Sequence, residues 1–223
     1  MKAAIETVRL QEPYVHTVAE VLARAFFDDP STIYVEPDDS RGAQVLPVFY
    51  EVGTRYAYLV GEAYTTAEHI EGAALWIAPD SGGFTSKRMA AAGGDKSSAA
   101  LGPEAFGRFM KLMTHLGGLR AAAMPSPHWY LMILGVEPSR QGMGIGSQLI
   151  QPVLNRADAL SICKALSAPQ RRCNPVLHLV PIGAVRSVAN SLSQQVCAVS
   201  LDFKQQAYFT PFSGSQEPCS LRT

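Results

Sequence analysis

Residues 128–147 read His128-Trp129-Tyr130-Leu131-Met132-Ile133-Leu134-Gly135-Val136-Glu137-Pro138-Ser139-Arg140-Gln141-Gly142-Met143-Gly144-Ile145-Gly146-Ser147. Residues 129–136 form an apolar run of strand length, rich in aromatic and branched side chains. Glu137-Pro138-Ser139-Arg140 turns the chain. Beyond the glycines, Leu149, Ile150, Val153, Leu154 and Ala157 recur at helical spacing on one face. The segment is therefore predicted to be a strand, a glycine-rich bend and a helix. Gly142, Gly144 and Gly146 leave no Cβ where backbone must approach an anion. The first N–H groups of the following helix have no internal partner. The helix dipole adds about 0.3–1 kcal/mol of attraction for a negative group. A diphosphate suits such a cradle without a cluster of lysines.

Three cradles of this kind compete. A Walker loop ends in Gly-Lys-Ser/Thr, whereas this bend ends Gly146-Ser147-Gln148 and lacks the lysine. A dinucleotide loop has the spacing G-x-G-x-x-G early in a βαβ unit. Here the spacing is G-x-G-x-G, about two thirds along the chain. An acyl-coenzyme A site carries Gln/Arg-x-x-Gly-x-Gly/Ala, and residues 141–146 match it at every fixed position. The plain alternative is a strand–helix bend that binds nothing.

Thr7-Val8-Arg9-Leu10 alternates like a short first strand. Pro13 opens a helix with Val15, Val18, Leu22, Ala25 and Phe26 on one face, and Asp28-Asp29-Pro30 stops it. Val45, Leu46, Phe49, Val52 and Tyr56 mark a second helix, with Pro47 expected in its first turn. Residues 62–67 and 73–77 read as a hairpin closed by residues 68–72. The polar, glycine-rich stretch 79–103 reads as a surface loop holding at most a short helix. Phe106, Phe109, Met110, Met113 and Leu116 form a helical stripe expected in the core, closed by Gly117-Gly118.

The strand, bend and helix of residues 128–160 resemble motif A of the GNAT superfamily of N-acetyltransferases. Phe26-Phe27-Asp28-Asp29-Pro30 and Ala73-Ala74-Leu75-Trp76 look like a branch similar to puromycin N-acetyltransferase. The resemblance runs from about Thr7 to Leu160. It implies an α/β fold with a mixed, splayed central sheet flanked by helices. It also implies acetyl transfer from acetyl-coenzyme A, a co-substrate, to a primary amine. On this resemblance the backbone N–H groups of Gln141, Gly142, Met143, Gly144, Ile145, Gly146 and Ser147 hold the diphosphate. Leu134, Gly135 and Val136 lie where the family strand bulges, and their backbone would pair with the pantetheine arm. The N–H of Leu134 would polarise the thioester carbonyl, a contribution of about 3 kcal/mol for such a donor. Phe27, Asp28, Trp76 and Tyr130 are the candidate acceptor-side residues. Glu36, Glu51 and Glu62 are candidate bases. Arg140 either attracts phosphate or is a surface charge.

The chain of 223 residues is 47% hydrophobic and 17% charged, enough apolar material for one globular core. The 19 basic and 19 acidic residues cancel, which argues against nucleic-acid and polybasic membrane binding. No apolar run approaches the roughly 20 residues of a membrane span, and Met1-Lys2-Ala3-Ala4-Ile5-Glu6 does not read as a secretion signal. A cytoplasmic protein is expected, acting on a small-molecule amine; a homodimer is left open. His16, His69, His115, His128 and His178 show no metal-ligand spacing, and no metal is expected.

The charge balance is uneven. Residues 163–223 hold 6 basic and 2 acidic side chains against 13 and 17 before them, and all four cysteines: Cys163, Cys173, Cys197 and Cys219. Irregular spacing and the lack of an export signal read as free thiols. The family pattern Asn-x-x-x-Phe-Tyr-x-x-x-Gly-Phe has no match after Leu160. Residues 1–162 thus read as an acetyltransferase core containing the acyl-coenzyme A motif, and 163–223 as a divergent or out-of-frame segment. If divergent, strands at 176–180, 196–203 and 207–212 and a helix at 185–192 would complete the fold, and Tyr208 would be the candidate acid. The gain of cysteine and loss of acid favour a frame change near Ile162. Two functions besides acetyl transfer remain: a non-catalytic acyl-coenzyme A binding module and an inactive degenerate paralogue.

Overall fold

The computed structural model describes residues 5–79, 81–82, 84–123 and 128–159. The expected tail elements and Tyr208 lie outside the described residues. The order is β1 (Thr7–Arg9), α1 (Val15–Ala25), α2 (Pro30–Val35), α3 (Asp39–Val60), β2 (Gly61–Thr66), β3 (Gly72–Ile77), α4 (Ser86–Ala91), α5 (Gly94–Ala123), β4 (Tyr130–Val136) and α6 (Ile145–Ala159). The strands form one sheet in the order β1-β2-β3-β4, and each described pair is antiparallel. This is the expected α/β class, a central sheet flanked by helices.

Strand alternation divides the core between the two faces. Ala63, Ala73 and Leu75 pack with Val15, Val18 and Leu22 of α1 and Leu46, Tyr50 and Ala57 of α3. Tyr64, Ala74 and Trp76 pack with Ile145, Leu149, Ile150 and Val153 of α6. The helix after the glycine bend is thus seated on the sheet by the apolar stripe legible in its sequence.

Several local expectations are corrected. The Asp28-Asp29-Pro30 stop also starts a helix: Asp29 caps α2, accepting the Ser31 N–H at 2.8 Å, and Pro30 occupies its first turn. Pro47 lies deep inside α3, not in its first turn. The Asp38 side chain caps this earlier start by accepting the Arg41 N–H at 2.9 Å. Buried Gly42, Val45 and Leu46 precede the proline. Their packing offsets the lost hydrogen bond and steric cost, about 3 kcal/mol.

The stretch 79–103 is largely helical, containing α4 and the first turns of α5. Gly102, at φ 71°, kinks α5 before Pro103. Gly117 and Gly118 do not close α5, which continues to Ala123; neither has the positive φ of a glycine cap. Phe106, Phe109 and Leu116 of the expected stripe pack against buried Leu101, Ala105 and Leu112, whereas Met110 and Met113 are exposed. The packed face of a helix depends on its rotation against α2 and α3, which spacing alone does not set.

One polar cluster ties α6 to the sheet. Arg156 Nη1 donates to Glu62 Oε1 at 2.8 Å, Arg156 Nη2 pairs with Oε2, and the Tyr64 hydroxyl donates to Oε2 at 2.8 Å. Burial pushes the Glu62 carboxyl up, but the bonds from Arg156 and Tyr64 outweigh it and hold the group below its ordinary 4.5. A depressed carboxyl stabilises the fold above its unfolded value, and that stability is lost as pH falls through the folded value. Glu62→Gln is therefore expected to cost about 1–2 kcal/mol at neutral pH, lowering Tm by about 3–6 °C. The gap to wild type narrows as pH falls below 4.5. Paired thermal melts across pH test this; a gap constant down to acid pH contradicts it.

Candidate functional site

The site begins at the end of β4. The Glu137 N–H donates to the Glu71 carbonyl at 2.8 Å, so Glu71 and Glu137 form a hydrogen-bonded pair. In an antiparallel ladder such pairs alternate. Gly135 opposite Ala73, and Ile133 opposite Leu75, turn their backbone groups toward β3. Leu134 and Val136 therefore turn theirs toward the other edge of β4, which has no strand partner among the described residues. Their side chains pack toward α6. Gly135 is buried against α1, where a Cβ would lie 2.6 Å from Leu22 Cδ2.

The strand irregularity falls slightly upstream of Leu134. Leu75 faces Ile133 and Trp76 faces Leu131, so Met132 is the extra residue. Such a bulge increases local twist and re-aims the strand.

After Val136 the chain makes a 3-10 turn over Pro138–Arg140. The Gln141 side chain folds back, its Nε2 donating to the Val136 carbonyl at 3.0 Å. Gly142 has φ 75° and Gly144 φ 88°, a region costly for L side chains. These values let the backbone reverse into α6 within a few residues. The Gln148 N–H is the first to close a helical bond, to the Gly144 carbonyl at 3.3 Å. The N–H groups from Gly142 to Ser147 have no acceptor among the described residues. Gly146 already lies in the helix, where a Cβ would meet Leu134 and Val136 side chains at ordinary contact distance, 3.7 and 3.8 Å.

The arginines around the bend are paired. Arg24 grips Glu137 through Nε at 3.0 Å and Nη2 at 2.9 Å. Arg140 donates from Nε to Glu71 Oε1 at 2.7 Å, with Nη2 2.5 Å from the same oxygen. Arg140 is thus neither a free surface charge nor turned to the bend. The bend can receive an anion on oriented amides, the arrangement expected for a phosphate group.

The four acceptor-side residues do not converge. Trp76 is buried on the α6 face, its Nε1 without a hydrogen-bond partner among the described residues. Tyr130 packs on the opposite face near Val52, Tyr56 and Ile77, with the Arg120 guanidinium 4.3 Å from its ring centroid. Phe27 packs against the α1–α3 core, whereas Asp28 is exposed. Its neighbour Asp29 is the more sheltered acid; burial pushes its carboxyl up against the lowering effect of Ser31. Its position as a helix cap, Asp-Pro-Ser, was the signal available in sequence. The candidate bases are all in ion pairs: Glu36 with Arg41 at 2.7 Å, Glu51 with His16 at 3.0 Å, and Glu62 with Arg156.

Residues 104–176 match the acetyltransferase (GNAT) family model. The GNAT match spans about a third of the chain and includes β4, the glycine bend and α6. Among solved structures, the chain is similar to a histone acetyltransferase HPA2 and related acetyltransferase from Corynebacterium glutamicum. The identity is 22% over 69% of this chain and 72% of that one, with a TM-score of 0.49. It is also similar to a mosquito arylalkylamine N-acetyltransferase like 5b, at 17% identity over 70% of this chain and 72% of that one, TM-score 0.33. Among the described residues no group of three or more His, Cys, Asp or Glu is placed to hold a metal, and no helix is long and apolar enough to cross a membrane.

Proposed function

We propose that this chain is an N-acetyltransferase that moves an acetyl group from acetyl-coenzyme A to a primary amine of a small molecule, in the manner of the puromycin N-acetyltransferase branch. The observation that carries this reading is the row of amides at Gly142–Ser147 without acceptors among the described residues, beside the open edge of β4. The GNAT match falls on the same residues.

In this reading the diphosphate sits on the amides of the bend and the α6 N-terminus. The pantetheine arm runs along β4, taking the backbone groups of Leu134 and the N–H of Val136. Gln141 occupies the Val136 carbonyl, so that oxygen is an internal tether. The thioester carbonyl accepts from the Leu134 N–H, which stabilises the developing oxyanion by about 3 kcal/mol. The amine nitrogen attacks the carbonyl carbon; a C–N bond forms and the C–S bond breaks. The nitrogen gives up one proton and the departing thiolate takes one. Positioning the amine against the thioester supplies much of the remaining rate. Phe27 and Tyr130 would face the acceptor from the α1–α3 side. Residues 1–162 would form this core, with 163–223 a separate divergent or frame-shifted segment; sequencing the transcript across Ile162 decides that point.

The test is a thermal-shift titration of the full chain with acetyl-coenzyme A. At about a hundredfold excess over Kd the ligand stabilises by about 2.7 kcal/mol, a rise of about 5–10 °C. No rise at millimolar ligand rejects the proposal. Thiol release with a panel of amines then separates a transferase from a non-catalytic acyl-coenzyme A binding module. Binding without turnover of any amine supports the module.

A further inference from the structure

Arg140 immediately precedes the glycine bend, yet its guanidinium is turned to Glu71, with contacts of 2.7 and 2.5 Å to one carboxylate oxygen. Glu71 is itself clamped by backbone. Its N–H donates to the Thr66 hydroxyl at 2.8 Å and its carbonyl accepts from Glu137 N–H at 2.8 Å. The nearby Glu137 carboxylate is taken by Arg24, so it does not compete for Arg140. The carboxylate therefore stays with the β2–β3 turn, while Arg140 is a long, half-exposed side chain two residues before Gly142, the first glycine of the bend.

We propose that Glu71 is a positioning residue that holds Arg140 off the diphosphate cradle and so limits affinity for the anionic cofactor. This rests on the reading of residues 142–147 as that cradle. A guanidinium beside a diphosphate forms charge-assisted, bidentate bonds. Pairing with Glu71 occupies the Nε and Nη2 donors and offsets the long-range attraction of the cation. A transferase that must release coenzyme A after every turnover gains from a cradle made of neutral amides, because a tightly held product slows release. The alternative role for the pair is a strut that only fixes the turn over Pro138–Arg140. The two roles predict opposite signs: loss of a strut loosens the cradle and weakens binding, whereas release of a restrained cation strengthens it.

The experiment is calorimetric titration of coenzyme A into the full chain and into Glu71→Gln, Arg140→Gln and the double variant, at low and raised ionic strength. Glu71→Gln is expected to bind about fivefold more tightly than wild type. Its affinity should also fall more steeply with salt, because a released cation adds a screened interaction. Arg140→Gln is expected to stay within about twofold of wild type. The double variant returns to wild-type affinity, because the released cation is gone. An unchanged or weaker Glu71→Gln overturns the proposal, as does a larger loss in Arg140→Gln or a double variant as tight as Glu71→Gln. If wild type binds coenzyme A with the expected stabilisation and Glu71→Gln fails to tighten, this inference falls and the proposed function stands. If no variant binds, both fall.

Discussion

Gly144→Val is expected to lower affinity for coenzyme A by about 30- to 100-fold, about 2–3 kcal/mol, while leaving most of the fold's stability in place. The two effects separate because of where Gly144 stands. At φ 88° it occupies a conformation that a branched residue rarely adopts. Valine there either bears strain of about 1–2 kcal/mol or rotates the bend. Rotation moves the amides on both sides of it, each contributing about 1 kcal/mol to an anion it faces. A Cβ at Gly144 meets nothing within 4 Å, so no core contact is lost. Tm should therefore fall by only about 3–6 °C. Gly146→Ala is the control. Its added methyl meets ordinary contacts, and affinity should stay within about threefold of wild type. Calorimetry and thermal melts on the same preparations check both halves. Gly144→Val retaining wild-type affinity would show that this bend does not hold the ligand.

Gly61→Ala carries the largest expected loss of stability. Gly61 joins α3 directly to β2 and has φ −146°, ψ −133°. A Cβ at this position would lie 1.9 Å from the Trp76 carbonyl oxygen and 3.1 Å from Ile77 Cα. Both atoms belong to the backbone of β3, the strand paired with β2. Side-chain rotation cannot relieve the overlap, so the α3–β2 junction must move away from the neighbouring strand. Overpacking of this kind costs about 3 kcal/mol or more, and Tm is expected to drop by about 6–12 °C. Denaturant titration should show a lower midpoint with little change in slope. Wild-type stability in Gly61→Ala would mean that the junction has a looser geometry than the register implies.

The segments of the chain differ in how much of their structure is legible in the sequence. The hairpin of β2 and β3, the strand β4 and the helix α6 were all legible, because their apolar positions alternate or recur on one face and glycine or proline marks their ends. The interior position of Pro47 was not, since proline is locally unfavourable there and only the apolar face of α3 packing on α1 and α5 offsets it. Helical structure within 79–103 was hidden by its glycine, serine and alanine content. Those residues give weak periodicity, and their helices depend on contacts with α3 and α2. The acceptor side fared worst. Trp76 and Tyr130 sit on neighbouring strands yet face opposite sides of the sheet, and the Met132 bulge shifts their pairing.

The glycine bend illustrates the division. Its residue types and spacing alone demand a backbone that reverses and starts a helix with unpaired amides, because these are properties of glycine geometry and of helix ends. Which charged groups surround that bend was settled only by packing: Arg140 meets Glu71 across 69 positions and Arg24 meets Glu137 across 113. Periodicity is a property of neighbours along the chain and survives in the letters. An ion pair between distant residues exists only once the hairpin, the first helix and the strand end have been brought to the same corner of the fold.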